Sequence, residues 1–384
     1  MRFHPGGWLG GVLLFCLAWT AYGGRFEILP SLYAGFQTEG VAVSADGSVV
    51  VGSSGTPSGQ RAFRWTEATG TVALPVLAGV TMTWATDVSS DGAWIAGYGG
   101  SSFGTRNGWK AFRYHIDGSM DVIEAAGGGI WGKGISGDGQ RLAGTSQGAG
   151  ATDPAVAFTW TVSDGVVPLS GPLYPAPAPT NANAISADGA VIVGDTNNGV
   201  SGNGFRWTQQ TGMVAVGNFS ATATSRDGSV VVGAITTDEG FQAYRWTEID
   251  GIVELPHPGF GPGYTASALG VSGDGSRVVG YIENQSTDLR QAFIWDDIHG
   301  NILLKELLEN AYGYDLTGWN LTKAYAISDD GNAVVGRGYS PQGADVGFRV
   351  FLTPEPSTVT LMLFMGAAGL LRRRGRTQER GNSC

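Results

Sequence analysis

The sequence predicts an all-β fold, a seven-bladed β-propeller of four-stranded repeats, and three observations carry the prediction. One ten-residue motif occurs seven times: VSADGSVVVG at 43–52, VSSDGAWIAG at 88–97, ISGDGQRLAG at 135–144, ISADGAVIVG at 185–194, TSRDGSVVVG at 224–233, VSGDGSRVVG at 271–280 and ISDDGNAVVG at 327–336. A second motif follows each copy: AFRWT at 62–66, AFRY at 111–114, AFTWT at 157–161, FRWT at 205–208, AYRWT at 243–247, AFIW at 292–295 and FRVF at 348–351. The third observation is a mismatch between the ends of the array, described below.

The first motif reads as a hairpin. Asp–Gly between alternating apolar residues supplies the positive-φ glycine that the turn needs, so two strands meet there. The second motif reads as a third strand. A glycine turn follows it at Gly70, Gly118, Gly165, Gly212, Gly251 or Gly300 and leads into a fourth, as in TVALPVL or IVELPHP. The aspartates of the pairs are Asp46, Asp91, Asp138, Asp188, Asp227, Asp274 and Asp330, spaced 39 to 56 residues apart. Four-strand units of that length, repeated seven times, are the mark of a propeller. The seventh copy ends after FRVFLT without a fourth strand, while RFEILPSL at 25–32 matches the fourth-strand pattern ahead of the first hairpin. An N-terminal strand completing the last blade closes the ring and removes its exposed edges. An open solenoid or a row of small β domains is the alternative.

Composition agrees. Sixty-three glycines, 15% charged residues and 10% aromatics in 384 residues suit short strands joined by turns rather than long helices or disorder. At the N-terminus, Arg2 precedes an apolar run Trp8–Trp19 and then small residues, the order of a secretory signal peptide over 1–23 with cleavage after Gly23. A lipoprotein signal at Cys16 is disfavoured because Phe15 stands where a small residue is required. Cys16 and Cys384 are the only cysteines and both lie in segments expected to be removed, so the mature protein is expected to have neither disulfides nor a cysteine nucleophile. Without residues 1–23 and 357–384, Lys+Arg falls from 23 to 17 and Asp+Glu from 33 to 32, leaving about −15 on the body. Such a charge repels nucleic acid, and no nucleic-acid partner is expected.

The repeat, [VIT]-S-x-D-G followed by an AFRWT-like strand, resembles the HAF-family extracellular repeat, named for His-Ala-Phe. Here that stretch reads Arg-Ala-Phe at 61–63, Lys-Ala-Phe at 110–112 and Gln-Ala-Phe at 291–293. The resemblance spans 25–353 and implies an exported protein. The tail TPEPSTVTLMLFMGAAGLLRRRGR at 353–376 resembles the PEP-CTERM sorting signal: Pro354, Glu355 and Pro356, an apolar segment 358–371, then Arg372, Arg373, Arg374 and Arg376. On the residues alone, 14 apolar positions fall short of the roughly 20 that cross a bilayer comfortably. The arginines then hold the end, 377–384, in the cytoplasm, so the segment reads as a transient inner-membrane anchor. The resemblance implies processing near Pro-Glu-Pro by an exosortase-type membrane peptidase of a Gram-negative bacterium that makes extracellular polysaccharide. The eight residues TQERGNSC after Arg376 depart from that pattern. A plain single-pass anchor is the alternative.

No catalytic centre is expected. His115, His257 and His299 lack metal-ligand spacing, and no nucleophile elbow, phosphate loop or dinucleotide fingerprint occurs. Neither metal nor cofactor is expected, and the aspartates of the repeat read as turn residues rather than calcium ligands. Binding is the favoured role, and the repeat says where. Positions that vary between copies face partners, and seven residues before each Asp stand Glu39, Trp84, Trp131, Asn181, Ser220, Ser267 and Lys323. Ala or Gly recurs six and four residues before the Asp in most copies, as a crowded innermost strand requires. These variable residues should ring one mouth of the channel, together with the second-to-third-strand loops, including Tyr98–Lys110, Thr145–Ala155 and Tyr281–Arg290. Trp84, Trp131 and Trp109 are the leading ligand-stacking candidates, with Glu39, Asn181 and Lys323 beside them; packing between blades is the alternative for the first two. Trp65, Trp94, Trp160, Trp207, Trp246 and Trp295 are assigned to the core, and Trp319 and Tyr314, which sit in the long seventh-blade insertion, are weaker site candidates. The expected function is binding of extracellular polysaccharide or an envelope component, with a protein-interaction scaffold second and a polysaccharide-active enzyme third.

Overall fold

The computed structural model describes residues 25–352, apart from 102–107, 126–127, 149, 151–152, 172–178, 197–202, 239 and 257–262. The expected signal peptide, the Pro-Glu-Pro tail with its apolar segment, and His257 lie outside the described residues. No helix among the described residues is long and apolar enough to cross a membrane.

Seven four-stranded antiparallel sheets follow one another along the chain, at 38–73, 82–123, 129–168, 180–217, 220–254, 264–303 and 320–351. The first six run inner to outer in chain order. The seventh has three strands of its own and takes Phe26–Leu29 as its outermost, Phe26 opposite Val350 and Leu29 opposite Gly347. The ring is therefore closed by the N-terminal strand, as the mismatched ends of the array predict. All seven sheets and the closing strand lie within Gly24–Thr353, so this segment holds everything its fold requires.

The second motif builds the space between blades. Phe63, Phe112, Phe158, Phe205, Phe293 and Phe348 are at most 1% exposed, and burial of each stabilises by about 2 kcal/mol. Trp65 and Trp160 are buried beside them, and Trp94, Trp207, Trp246 and Trp295 pack against the core clusters.

The Asp–Gly turn is a hydrogen-bonded unit. In the first blade Ser44 Oγ donates to Asp46 Oδ1 at 2.7 Å and accepts from the Val49 N–H at 3.0 Å, while the Ser48 N–H donates to the same carboxylate oxygen at 2.9 Å. The same three bonds recur in every blade. Each aspartate thus satisfies its own turn, and among the described residues no cluster of potential metal ligands occurs. The glycine is required twice over. Gly139 has φ +72, and a Cβ there would stand 2.1 Å from the Trp94 ring of the preceding blade.

The residue between Ser and Asp links blade to blade. The N–H of Ala45 donates to Ser90 O, Ser90 to Gly137, Gly137 to Ala187, Ala187 to Arg226, Arg226 to Gly273 and Gly273 to Asp329, at 2.7–3.1 Å. In four blades the arginine of the second motif adds a further tie, because its guanidinium reaches the Asp–Gly glycine carbonyl of the next blade. Arg64 meets Gly92, Arg113 meets Gly139, Arg206 meets Gly228 and Arg349 meets Gly47. Blade 6 has Ile294 at that position, and Arg277 on the neighbouring strand makes the bond to Gly331 instead, at 2.6 Å.

Two expectations need correction. Tyr281–Arg290 is not a loop: strands Arg277–Asn284 and Leu289–Asp296 run through it and leave a four-residue turn. The insertion ahead of blade 7 contains an α-helix, Leu304–Tyr312, whose Leu304, Leu307 and Leu308 are buried. Trp319 and Tyr314 pack against the same core, Trp319 edge-on to Phe26 with centroids 5.0 Å apart and Tyr314 donating to Phe351 O at 2.7 Å. They are core residues, not site residues.

Candidate functional site

All seven innermost strands carry a bulge at the same place. The strand register skips Val41, Thr86, Lys133, Asn183, Thr222, Leu269 and Tyr325, five residues before each Asp. An unpaired residue in a ladder is re-aimed away from it, and these seven line the central channel. Three of them hold the next blade: Thr86 Oγ1 donates to Gly132 O at 3.1 Å, Asn183 Nδ2 to Ala221 O at 2.8 Å and Thr222 Oγ1 to Ala268 O at 2.7 Å.

The position seven before each Asp pairs across to the residue seven after it. Glu39 faces Ser53, Trp84 Tyr98, Trp131 Thr145, Asn181 Asp195, Ser220 Ala234, Ser267 Tyr281 and Lys323 Arg337. These pairs sit at the end of the inner hairpins away from the Asp–Gly turns, and they differ from blade to blade.

Blades 2 and 3 make the aromatic side of this mouth. Trp84 stacks on Tyr98 and on Trp109, each with centroids 5.5 Å apart, and Trp109 reaches Trp131 at 6.2 Å. Trp109 lies flat because position 100 is glycine; a Cβ there would stand 2.6 Å from the indole. All three tryptophans are half-buried. Tyr98, Trp109, Trp131, Lys133, Asn181 and Asn183 border a cavity of about 380 Å³, within the range of small-ligand pockets. Behind these lining amides the Asp195 carboxylate accepts from Asn181 Nδ2 at 3.1 Å, Asn183 Nδ2 at 2.9 Å and Ser220 Oγ at 2.8 Å. Lys133 Nζ stands 5.1 Å above the Tyr98 ring, and burial pushes its pKa down. Burial likewise pushes the Tyr98 hydroxyl up.

Blades 6, 7 and 1 make the charged side. Glu39 accepts from Tyr325 Oη at 3.3 Å and Ser53 Oγ at 3.2 Å and lies 3.6 Å from Arg337, which also grips Asp345 through two nitrogens. Burial, then Glu39, push the Tyr325 hydroxyl well up. Arg290 pairs with Glu283 at 2.9 Å. Lys323 Nζ sits 4.8 Å over Tyr281 and 5.7 Å over Tyr325, its pKa lowered chiefly by burial.

The structure therefore brings Trp84, Trp109, Trp131 and Asn181 together on one side and sets Glu39 and Lys323 apart on the other. Sequence reasoning had Tyr98 only as the start of a mouth segment and missed Lys133, Asn183, Asp195, Tyr325 and Arg337. Their signal was present: positions five before and seven after the Asp vary between copies as freely as the position seven before.

No family model matches the sequence, and no curated protein does. Among solved structures, TolB from Acinetobacter baumannii is 16% identical over 81% of this chain and 82% of its own, with a TM-score of 0.42. Oligogalacturonate lyase from Vibrio parahaemolyticus is 11% identical over 85% of this chain and 97% of its own, with a TM-score of 0.50. At that identity the likeness is one of fold: the chain is a seven-bladed β-propeller, similar over most of its length to the lyase.

Proposed function

We propose that this chain is an exported cell-surface or extracellular-matrix protein whose propeller binds extracellular polysaccharide at the mouth of its channel. The observation that carries the reading is the half-buried aromatic cluster of Trp84, Trp109 and Trp131, of which Trp109 and Trp131 border a cavity also lined by the side-chain amides Asn181 and Asn183. Flat aromatic faces match the C–H faces of sugar rings, and the Asn181, Asn183 and Asp195 set offers donors and acceptors to hydroxyls. In this reading residues 1–23 direct export, and 354–376 anchor the precursor until an exosortase-type peptidase processes it. The propeller itself performs no catalysis.

Co-sedimentation of residues 24–353 with the host's extracellular polysaccharide tests this. Retention should fall at least tenfold in Trp109→Ala and Trp131→Ala, the size expected for a buried aromatic anchor, with the melting transition still cooperative. Absence of retention by the parent protein would move the site search to protein partners.

A further inference from the structure

We propose that the mouth selects acidic polysaccharide, with Lys133 taking the anionic group, a carboxylate or a sulfate ester, of a sugar stacked on Trp131. The proposal rests on the glycan-binding reading above and adds the ligand's charge to it. Three observations carry it. The first is an ammonium with no counter-ion. Among the described residues Lys133 has neither a hydrogen bond nor a carboxylate within salt-bridge reach, and its one recorded contact is the Tyr98 ring. Three other cations of this mouth differ: Lys110 pairs with Glu124 at 2.6 Å, Arg290 with Glu283, and Arg337 with Asp345 and Glu39. An acidic chain, with 33 Asp and Glu against 23 Lys and Arg, has carboxylates to spare. An unpaired cation held partly out of water carries a desolvation cost that an incoming anion removes.

The second observation is position. Lys133 is the bulged residue of its strand, two residues beyond Trp131, and both border the same cavity. One sugar can therefore offer its ring to the indole and its acidic group to the ammonium. Asn181 and Asn183 lie across that cavity for the hydroxyls. The neighbouring carboxylate, Asp195, is already held by three donors.

The third is repetition of the device across the mouth. Among the described residues Lys323 also has no hydrogen bond and no carboxylate within salt-bridge reach, although Glu39 and Glu283 act on it from farther off, and it also rests on tyrosines, Tyr281 and Tyr325. Two such lysines on one rim suit a polyanion better than a single charged sugar. The net charge of the chain opposes a polyanion at long range, but at physiological ionic strength the Debye length is about 8 Å. Contacts at the mouth then outweigh distant carboxylates.

The test is affinity electrophoresis and co-sedimentation of residues 24–353 with three probes: alginate as a polyuronate, dextran sulfate as a sulfated glucan, and uncharged dextran. The expected result is at least tenfold stronger retention of one acidic probe than of dextran, weakening as salt is raised. Lys133→Met should lose that preference, Lys133→Arg should recover most of it, and Lys323→Met should lose a smaller part. The probe retained, alginate or dextran sulfate, identifies the anionic group. Equal retention of all three probes, or acid-specific retention that survives Lys133→Met, overturns the inference and leaves the glycan reading standing. Retention of none overturns both. Unchanged melting temperatures in the lysine variants separate lost contact from lost fold.

Discussion

The two ends of the channel are built from the same seven hairpins and differ in almost every other respect. At the Asp–Gly end each blade repeats the bonds from Ser to Asp and from Asp to its own turn, and six junctions repeat the bond from the intervening residue to its counterpart in the next blade. At the opposite mouth the paired positions run through Glu–Ser, Trp–Tyr, Trp–Thr, Asn–Asp, Ser–Ala, Ser–Tyr and Lys–Arg. A repeated bond network holds seven sheets at one tilt, and any departure from it disturbs two blades at once. The mouth carries no such repeated network, because its inter-blade bonds, Ser220 to Asp195 and Tyr325 and Arg337 to Glu39, each occur at one junction only. Stability is thus concentrated at one end, and the freedom to build a site at the other.

Substitutions should separate the two ends. The largest effect is expected from Arg349→Met. Arg349 is 2% exposed, donates to Gly47 O at 2.6 Å and to Glu27 Oε2 at 2.6 Å, and so ties the seventh blade to both the first blade and the closing strand. Its loss leaves Glu27 and a buried carbonyl with broken bonds, costing about 4 kcal/mol in chemical denaturation. Next comes Gly139→Ala, which combines a left-handed backbone with a Cβ inside the Trp94 ring; about 3 kcal/mol is expected. In both variants, the protein that remains folded should keep its ligand affinity. A proportionate loss of affinity would show that the two ends are coupled.

How much of this the sequence disclosed follows the same division. Seven hairpins, a four-strand blade and the closing strand were legible because Asp–Gly fixes a turn and the Phe of the second motif fixes a buried face. The role of the motif's arginine was not, since its acceptor is a backbone carbonyl in the next repeat, 26 residues on for Arg113. The helix Leu304–Tyr312 was passed over as an insertion, although Leu304, Leu307 and Leu308 follow a helical period. At the mouth, the column containing Trp84 and Trp131 was found by its variability alone. Lys133 was not, because it reaches the same rim through a bulge, and a bulge does not show in a linear alignment even where the position varies between copies.

A single residue breaks the framework pattern from within. Four residues before the repeat Asp, every blade has Ala or Gly except the second, which has Asp87. Its carboxylate lines the channel and accepts the Ile135 N–H of blade 3 at 2.8 Å and its own Val88 N–H at 2.8 Å. Burial, opposed by those two bonds and reinforced by Asp329, raises its pKa from 3.8 to about 7. A carboxyl whose pKa is higher folded than unfolded binds protons more tightly in the folded state. Its contribution to stability is therefore greatest below the unfolded value and is lost as pH rises toward 7. The turn aspartates Asp46, Asp91, Asp138, Asp227 and Asp274 are shifted downward and stay ionised across pH 5 to 8, so they do not mask this window. Denaturation of the parent protein should show stability falling by about 2 kcal/mol from pH 5 to pH 8. Asp87→Ala, which restores the residue type of the other blades, should flatten that slope, and an unchanged slope would place the titrating group elsewhere in the chain.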